Sequence, residues 1–86
     1  MSRLIIDVRE PFEFHSGHVD GAINIPLSKL MTNVGHLFKD IPKDIEMILY
    51  CHSGSRAAVA LNSLRSLGFT NLINGINESR VRSDHL

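Results

Sequence analysis

Ile45-Glu46-Met47-Ile48-Leu49-Tyr50-Cys51-His52-Ser53-Gly54-Ser55-Arg56-Ala57-Ala58-Val59-Ala60-Leu61-Asn62-Ser63-Leu64 is the stretch on which the fold turns. Its first part, Ile45 to Tyr50, is an apolar run of strand length. Its last part sets Ala57, Ala60, Leu61 and Leu64 at helical intervals, so that they share one face of a helix. No linker separates the two; only Cys51-His52-Ser53-Gly54-Ser55-Arg56 stands between them. A buried strand passing directly into a helix is the unit of a parallel sheet covered by helices, and in such sheets ligands collect beyond the carboxyl ends of the strands. Cys51 stands at one of those ends.

Outward from this stretch the same alternation continues. Leu4-Ile5-Ile6-Asp7-Val8 is a second β-branched, mostly apolar run and reads as a central parallel strand. Between Glu10 and Gly17, Pro11 lies near a first helical position and Gly17 at a natural stop, which predicts one short helical turn. Ala22-Ile23-Asn24-Ile25 is a short strand ended by Pro26, which has no backbone donor. Ser28 is placed to cap the next helix, where Leu30, Met31, Val34, Leu37 and Phe38 recur at three- and four-residue intervals. Gly35 weakens that helix, and Asp40-Ile41-Pro42-Lys43-Asp44 breaks it. Gly68 is a stop for the helix after Cys51, and Asn71-Leu72-Ile73-Asn74 is a last strand. Beyond Gly75 the chain turns polar, with Ile76, Val81 and Leu86 as its only large apolar residues, so residues 77–86 read as a polar tail, either a marginal helix or disordered. The expectation is an α/β fold with a small, mostly parallel sheet of four to five strands flanked by helices.

Composition bounds what such a fold can do. A chain of 86 residues with 43% hydrophobic content builds one packed domain and not two. Nine Lys plus Arg balance nine Asp plus Glu, and there is no basic run. Nucleic acid and anionic membrane surfaces need a concentrated positive field, so neither is expected as a partner and any anion site must be local. The single cysteine excludes an internal disulfide. No apolar run approaches the roughly 20 residues of a membrane helix, and the N-terminus has no secretory pattern. Strand-like sequence begins at Leu4, so the expected location is the cytoplasm, or the periplasm if an upstream signal has been removed.

A lone cysteine is by default a small buried hydrophobe. The context of Cys51 argues for more. The first turn of a helix has backbone N–H groups with no internal partner, and a loop passing through a glycine into that turn points several of them into one concavity, an anion cradle. The helix dipole adds partial positive charge, and Arg56 offers a full one. Both favour the thiolate, the form that attacks as a nucleophile. Cys51 is therefore the candidate catalytic residue, with His52, Ser53, Gly54, Ser55 and Arg56 as the candidate substrate-binding loop. Ser53 and Ser55 can add hydroxyl donors, and Gly54 allows a tight turn.

At this point the chain resembles the rhodanese family. Asp7-Val8-Arg9-Glu10-Pro11, Gly17-His18-Val19-Asp20-Gly21-Ala22-Ile23-Asn24-Ile25-Pro26, Tyr50-Cys51-His52-Ser53-Gly54-Ser55-Arg56 and Leu67-Gly68-Phe69-Thr70-Asn71 match its successive signatures in order. The resemblance implies a rhodanese-like three-layer fold over residues 1–76. It also implies transfer of a sulfane sulfur from thiosulfate or a similar donor to cyanide or a thiol, with a protein acceptor allowed. Cys51 would carry the sulfur as a persulfide, cradled by the N–H groups of His52 to Arg56. Asp7 and Arg9 match the first signature and are read as structural, and His18 as a packing residue rather than a base. The chain departs from the family in starting directly at the first signature and in having Asn74-Gly75-Ile76-Asn77, with no Trp after it, where the family commonly has a Gly-Gly turn. Its brevity resembles the small, exported phage-shock type.

Two other functions compete. Cysteine phosphatases and arsenate reductases also put cysteine and arginine on a loop before a helix, but on a longer one that fits a tetrahedral oxyanion; His52 to Ser55 is a tighter loop that suits a sulfur atom. A non-catalytic rhodanese-like binding or regulatory module would typically have lost the cysteine. His15 and His18 could share a face of one turn, but structural zinc usually takes four ligands and no second cysteine exists, so neither metal nor cofactor is expected.

Overall fold

The structure, a computed structural model, describes residues 3–86. Strand and helix alternate without exception: β1 (Arg3–Asp7), α1 (Pro11–His15), β2 (Ile23–Asn24), α2 (Leu27–Leu37), β3 (Glu46–Cys51), α3 (Ser55–Ser66), β4 (Leu72–Asn77) and α4 (Glu78–His85). The strands form one four-stranded sheet in the order β2-β1-β3-β4, and every pairing is parallel. The two most apolar runs, β1 and β3, lie in the middle because both their faces need cover.

Successive side chains of a strand point to opposite faces, and this divides the core in two. Leu4, Ile6 and Val8 of the β1 run, with Met47, Leu49 and Cys51 of β3, pack beneath Leu30 of α2 and Ala57, Ala60, Leu61 and Leu64 of α3. Ile5, Ile48 and Tyr50 face the other way, against Val19 and against Val81 of α4. Helices thus flank the sheet on both sides, and Cys51 belongs to the α2/α3 side.

Two elements, α2 and β4, differ from the expectation. The helix after Pro26 starts at Leu27, not behind a Ser28 cap, because the Leu27 N–H is bonded to Val8 O at 3.0 Å and Pro26 O accepts the first helical bond, from Leu30 N at 2.9 Å. Its irregularity falls at Asn33 (φ −123°, ψ 20°) and not at Gly35; the Asn33 amide bonds to Lys29 O at 3.2 Å, the local competition by which asparagine disturbs helices. The second difference is at the C-terminus. β4 runs on to Asn77, and of the two readings of residues 77–86 the structure takes the helix. Asn77 caps it, its side chain accepting from Arg80 N at 2.8 Å, and Glu78 pairs with Arg82 one turn on. A single fully buried side chain, Val81, fastens this otherwise polar helix to the sheet.

That fastening needs an irregular strand. Leu49 pairs with Asn74 and Tyr50 with Ile76, so Gly75 is an extra residue, a bulge in β4. A side chain at Gly75 would put its Cβ 2.5 Å from Val81 Cγ2 and 3.0 Å from Ile48 Cγ2. Past the bulge Ile76 has φ 73°, the left-handed region that a β-branched residue rarely occupies, at a cost of order 1–3 kcal/mol.

Candidate active site

The site is built where β3 ends. Cys51 is the last residue of the strand and only 1% exposed, and α3 begins four residues later at Ser55. The chain turns this corner through Gly54, whose φ of +90° a side chain would resist. In that conformation the Gly54 N–H points back at Cys51 and donates to its Sγ at 3.1 Å. Burial pushes the Cys51 thiol up, but the N–H groups of Ala57, Ser53, Gly54 and Arg56 pull it down by more, so its pKa falls below that of an ordinary thiol. The loop stabilises a negative sulfur first of all with backbone N–H groups, and the Arg56 charge is felt there as well.

The side chains of the loop do less than expected. His52, Ser53 and Ser55 are exposed, and the two serine hydroxyls bond to each other at 3.1 Å. Arg56, expected to lend a full charge to the cradle, instead forms a two-point pair with Glu13 of α1, Nη1 to Oε1 at 2.8 Å and Nη2 to Oε2 at 3.2 Å. Glu13 Oε1 also accepts from Glu10 N at 2.9 Å. The Arg56 bond, followed by the Glu10 N–H, holds the Glu13 carboxyl down to about 2, and Glu13 in turn raises Arg56. Arg56 is thus a strut between α3 and α1, its charge shared with a carboxylate.

A second arginine stands on the other side. Asp7 is fully buried and takes Arg9 in a fork: Oδ1 accepts from Arg9 N and Nε, each at 2.9 Å, and Oδ2 from Nη2 at 2.7 Å. Nη2 also donates to Gly17 O at 2.7 Å. Asn24 bonds to the carbonyls of Asp7 and Arg9, at 3.0 and 2.9 Å, and so ties β2 to the same knot. The Arg9 guanidinium lies 5.5 Å from the ring centroid of Tyr50, whose oxygen accepts from Val19 N at 3.0 Å. Burial pushes Tyr50 up to about 12, so it stays neutral. His18 stacks on Phe14 with centroids 3.6 Å apart, and its Nδ1 lies 2.9 Å from Phe14 O.

Cys51 opens into a cavity of about 340 Å³ lined by Arg9, His52, Asn77, Glu78, Ser79 and Arg82. Of these, sequence reasoning singled out only Cys51 and His52 as site residues. Arg9, which matches the first signature and reads as structural in the sequence, borders the cavity as well. Asn77 to Arg82 fell in the segment read as a tail; the signal that marks them is an asparagine cap followed by Glu78 and Arg82 at helical pair spacing. Arg82 Nη2 also donates to His18 O at 3.2 Å, which seats α4 over the cavity.

A family model described as Rhodanese-like domain matches residues 1–79. The chain belongs to the rhodanese-like family. Among its relatives, the uncharacterized protein YqhL of Bacillus subtilis is 43% identical over 70 residues, which cover 81% of this chain and 52% of that one. Thiosulfate sulfurtransferase PspE of Escherichia coli is 35% identical over 69 residues, 80% of this chain and 64% of PspE. This rhodanese-like chain thus spans about half the length of YqhL and under two thirds of PspE. A solved structure described as rhodanese with anions from E. coli shares the fold with a TM-score of 0.76 at 31% identity, over 91% of this chain and 89% of the other. The sheet flanked by helices is therefore the rhodanese-like fold, and sulfurtransferases are among the relatives.

Proposed function

We propose that this rhodanese-like chain is a sulfurtransferase that moves a sulfane sulfur through a persulfide on Cys51. The reading is carried by one observation: a buried thiol whose sulfur accepts from the Gly54 N–H at 3.1 Å opens on a cavity bordered by arginines. The Cys51 thiolate attacks the outer sulfur of thiosulfate or a similar donor. The new S–S bond forms as the donor's own S–S bond breaks, and sulfite leaves with the electron pair. The persulfide is itself an anion and is held by the same N–H groups. Attack on its outer sulfur by cyanide or a thiolate gives thiocyanate or a new persulfide and returns the Cys51 thiolate. Arg9, paired with Asp7, and Arg82, paired with Glu78, offer N–H donors at the cavity that an anionic donor meets on entry.

Incubation with thiosulfate followed by intact-mass measurement tests the reading. The wild type is expected to gain one sulfur atom and Cys51→Ser none. No gain on the wild type, or an equal gain on Cys51→Ser, would sink the proposal, and turnover of an aryl phosphate would replace it with phosphatase chemistry. The engagement of Arg56 by Glu13 weighs against that alternative, because a phosphatase needs this guanidinium turned onto its oxyanion.

A further inference from the structure

Gly54 is the hinge of the Cys51 loop, and it is held from outside the loop. Its N–H faces the sulfur at 3.1 Å. Its carbonyl accepts the first bond of α3, from Ala58 N at 2.9 Å, and a second from Asn74 Nδ2 at 3.0 Å. Asn74 belongs to β4, on the neighbouring strand, and its Oδ1 accepts from Ile76 N at 3.0 Å. The same two residues close the space over Gly54: a Cβ there would lie 3.4 Å from Asn74 Oδ1 and 3.4 Å from Ile76 Cδ1. The anchor behind them is firm, since Gly75 is pressed against Val81 and Ile48 at the bulge. The side-chain amide of Asn74 therefore joins two irregular backbones, the left-handed Gly54 of the loop and the left-handed Ile76 of the strand.

We infer that Asn74 is a positioning residue for the sulfur-transfer loop: by holding the Gly54 carbonyl it aims the first turn of α3 at Cys51 Sγ. The Gly54 carbonyl shares a rigid peptide unit with the Ser55 N–H, so holding it sets the first peptide plane of α3, and the N–H groups of Arg56 and Ala57 that bear on the sulfur follow from that plane. Without Asn74 the carbonyl keeps its bond to Ala58 but loses the one that fixes its tilt from the β4 side, and the first turn of α3, with the donors it turns on the sulfur, is free to swing. The inference rests on Cys51 being the reacting thiolate, but its consequence is visible in thiol chemistry with no sulfur donor present.

The experiment is the pH profile of Cys51 alkylation by iodoacetamide in the full chain, for wild type, Asn74→Ala and the volume-preserving Asn74→Leu. Each variant is measured also in an Ile76→Gly background, where the strand needs no help to hold a positive φ. Loss of Asn74 is expected to lower the rate on the acid side about three- to tenfold, as a rise of up to one unit in the thiol pKa would do, with the high-pH plateau unchanged. The same drop is expected in the Ile76→Gly background. An unmoved profile in both Asn74 variants overturns the inference. So does a drop that vanishes with Ile76→Gly, because Asn74 would then serve only to hold Ile76. Persulfide formation in the thiosulfate experiment alongside an unmoved profile would leave the sulfurtransferase reading intact and remove only this role of Asn74.

Discussion

The cavity has two walls of opposite construction. On one side the chain from Cys51 to Arg56 makes its contribution locally: a strand end, a left-handed glycine and a helix start turn backbone N–H groups onto a sulfur three residues back. On the other side, Asn74 to Arg82 form a bulge, a strained Ile76 and a polar helix held by one valine. The first wall is short-range geometry with one hold from outside, Asn74 on the Gly54 carbonyl. The second exists only because Val81, Ile48, Gly54 and His18 are there to receive it. Stability and chemistry are thus unevenly divided, and substitutions on the two walls are expected to fail in different ways.

The largest effect on stability is expected at the bulge. Gly75→Ala puts a methyl against Val81, a stiff, fully buried side chain with nowhere to go, and overpacking of this kind costs about 1–3 kcal/mol. Thermal unfolding is expected to show it as a drop in Tm of several degrees, at roughly 4–8 °C per kcal/mol for a domain of this size. An unchanged Tm would mean that α4 is not fastened through this contact.

Gly54→Ala, on the local wall, is expected to cost less stability, about 1–2 kcal/mol for a left-handed alanine. Its damage should appear instead in the alkylation profile of Cys51, which moves to higher pH as the N–H turns away from the sulfur. Equal Tm losses in the two glycine variants, with the profile unmoved in both, would erase the distinction between the walls.

The smallest effect belongs to the strut between α3 and α1. The Glu13 carboxyl is depressed to about 2 by Arg56, so the pair contributes stability above the ordinary carboxylate value of about 4.3 and loses it as pH falls from there through about 2. Glu13→Gln is expected to lower stability by about 0.5–1 kcal/mol near neutral pH, the upper part of the range for a partly exposed pair. The Tm gap between wild type and variant should then close as pH is lowered across that window. A gap that persists at the acid end would show that Glu13 acts through its shape and not its charge.

The stretch from Ile45 to Leu64 was legible because each of its features is short-range. A continuous apolar run makes a central strand, apolar residues at helical spacing make the buried face of α3, and a glycine between them makes a turn. The all-parallel sheet followed from that alternation. The limits of legibility also have particular causes. Ser28 looked like a cap but lost to the Leu27 N–H, bonded across to Val8. Arg56 looked like a free charge because its partner, Glu13, lies 43 residues away in sequence. Asn77 to Arg82 looked like a tail because the apolar content of α4 is a single valine, and no periodicity can be read from one residue.

Sequence alone determined that strand and helix alternate, that Cys51 ends a strand, and that a tight loop and a helix N-terminus follow it, since these depend on neighbours within a few positions. Only the tertiary structure decided which side chains surround the sulfur: Arg9 turned to Asp7, Arg56 to Glu13, Asn74 set against Gly54, and α4 folded over the cavity mouth. Each of those is a contact between distant parts of the chain, formed when packing brings two elements together, and no local pattern records it.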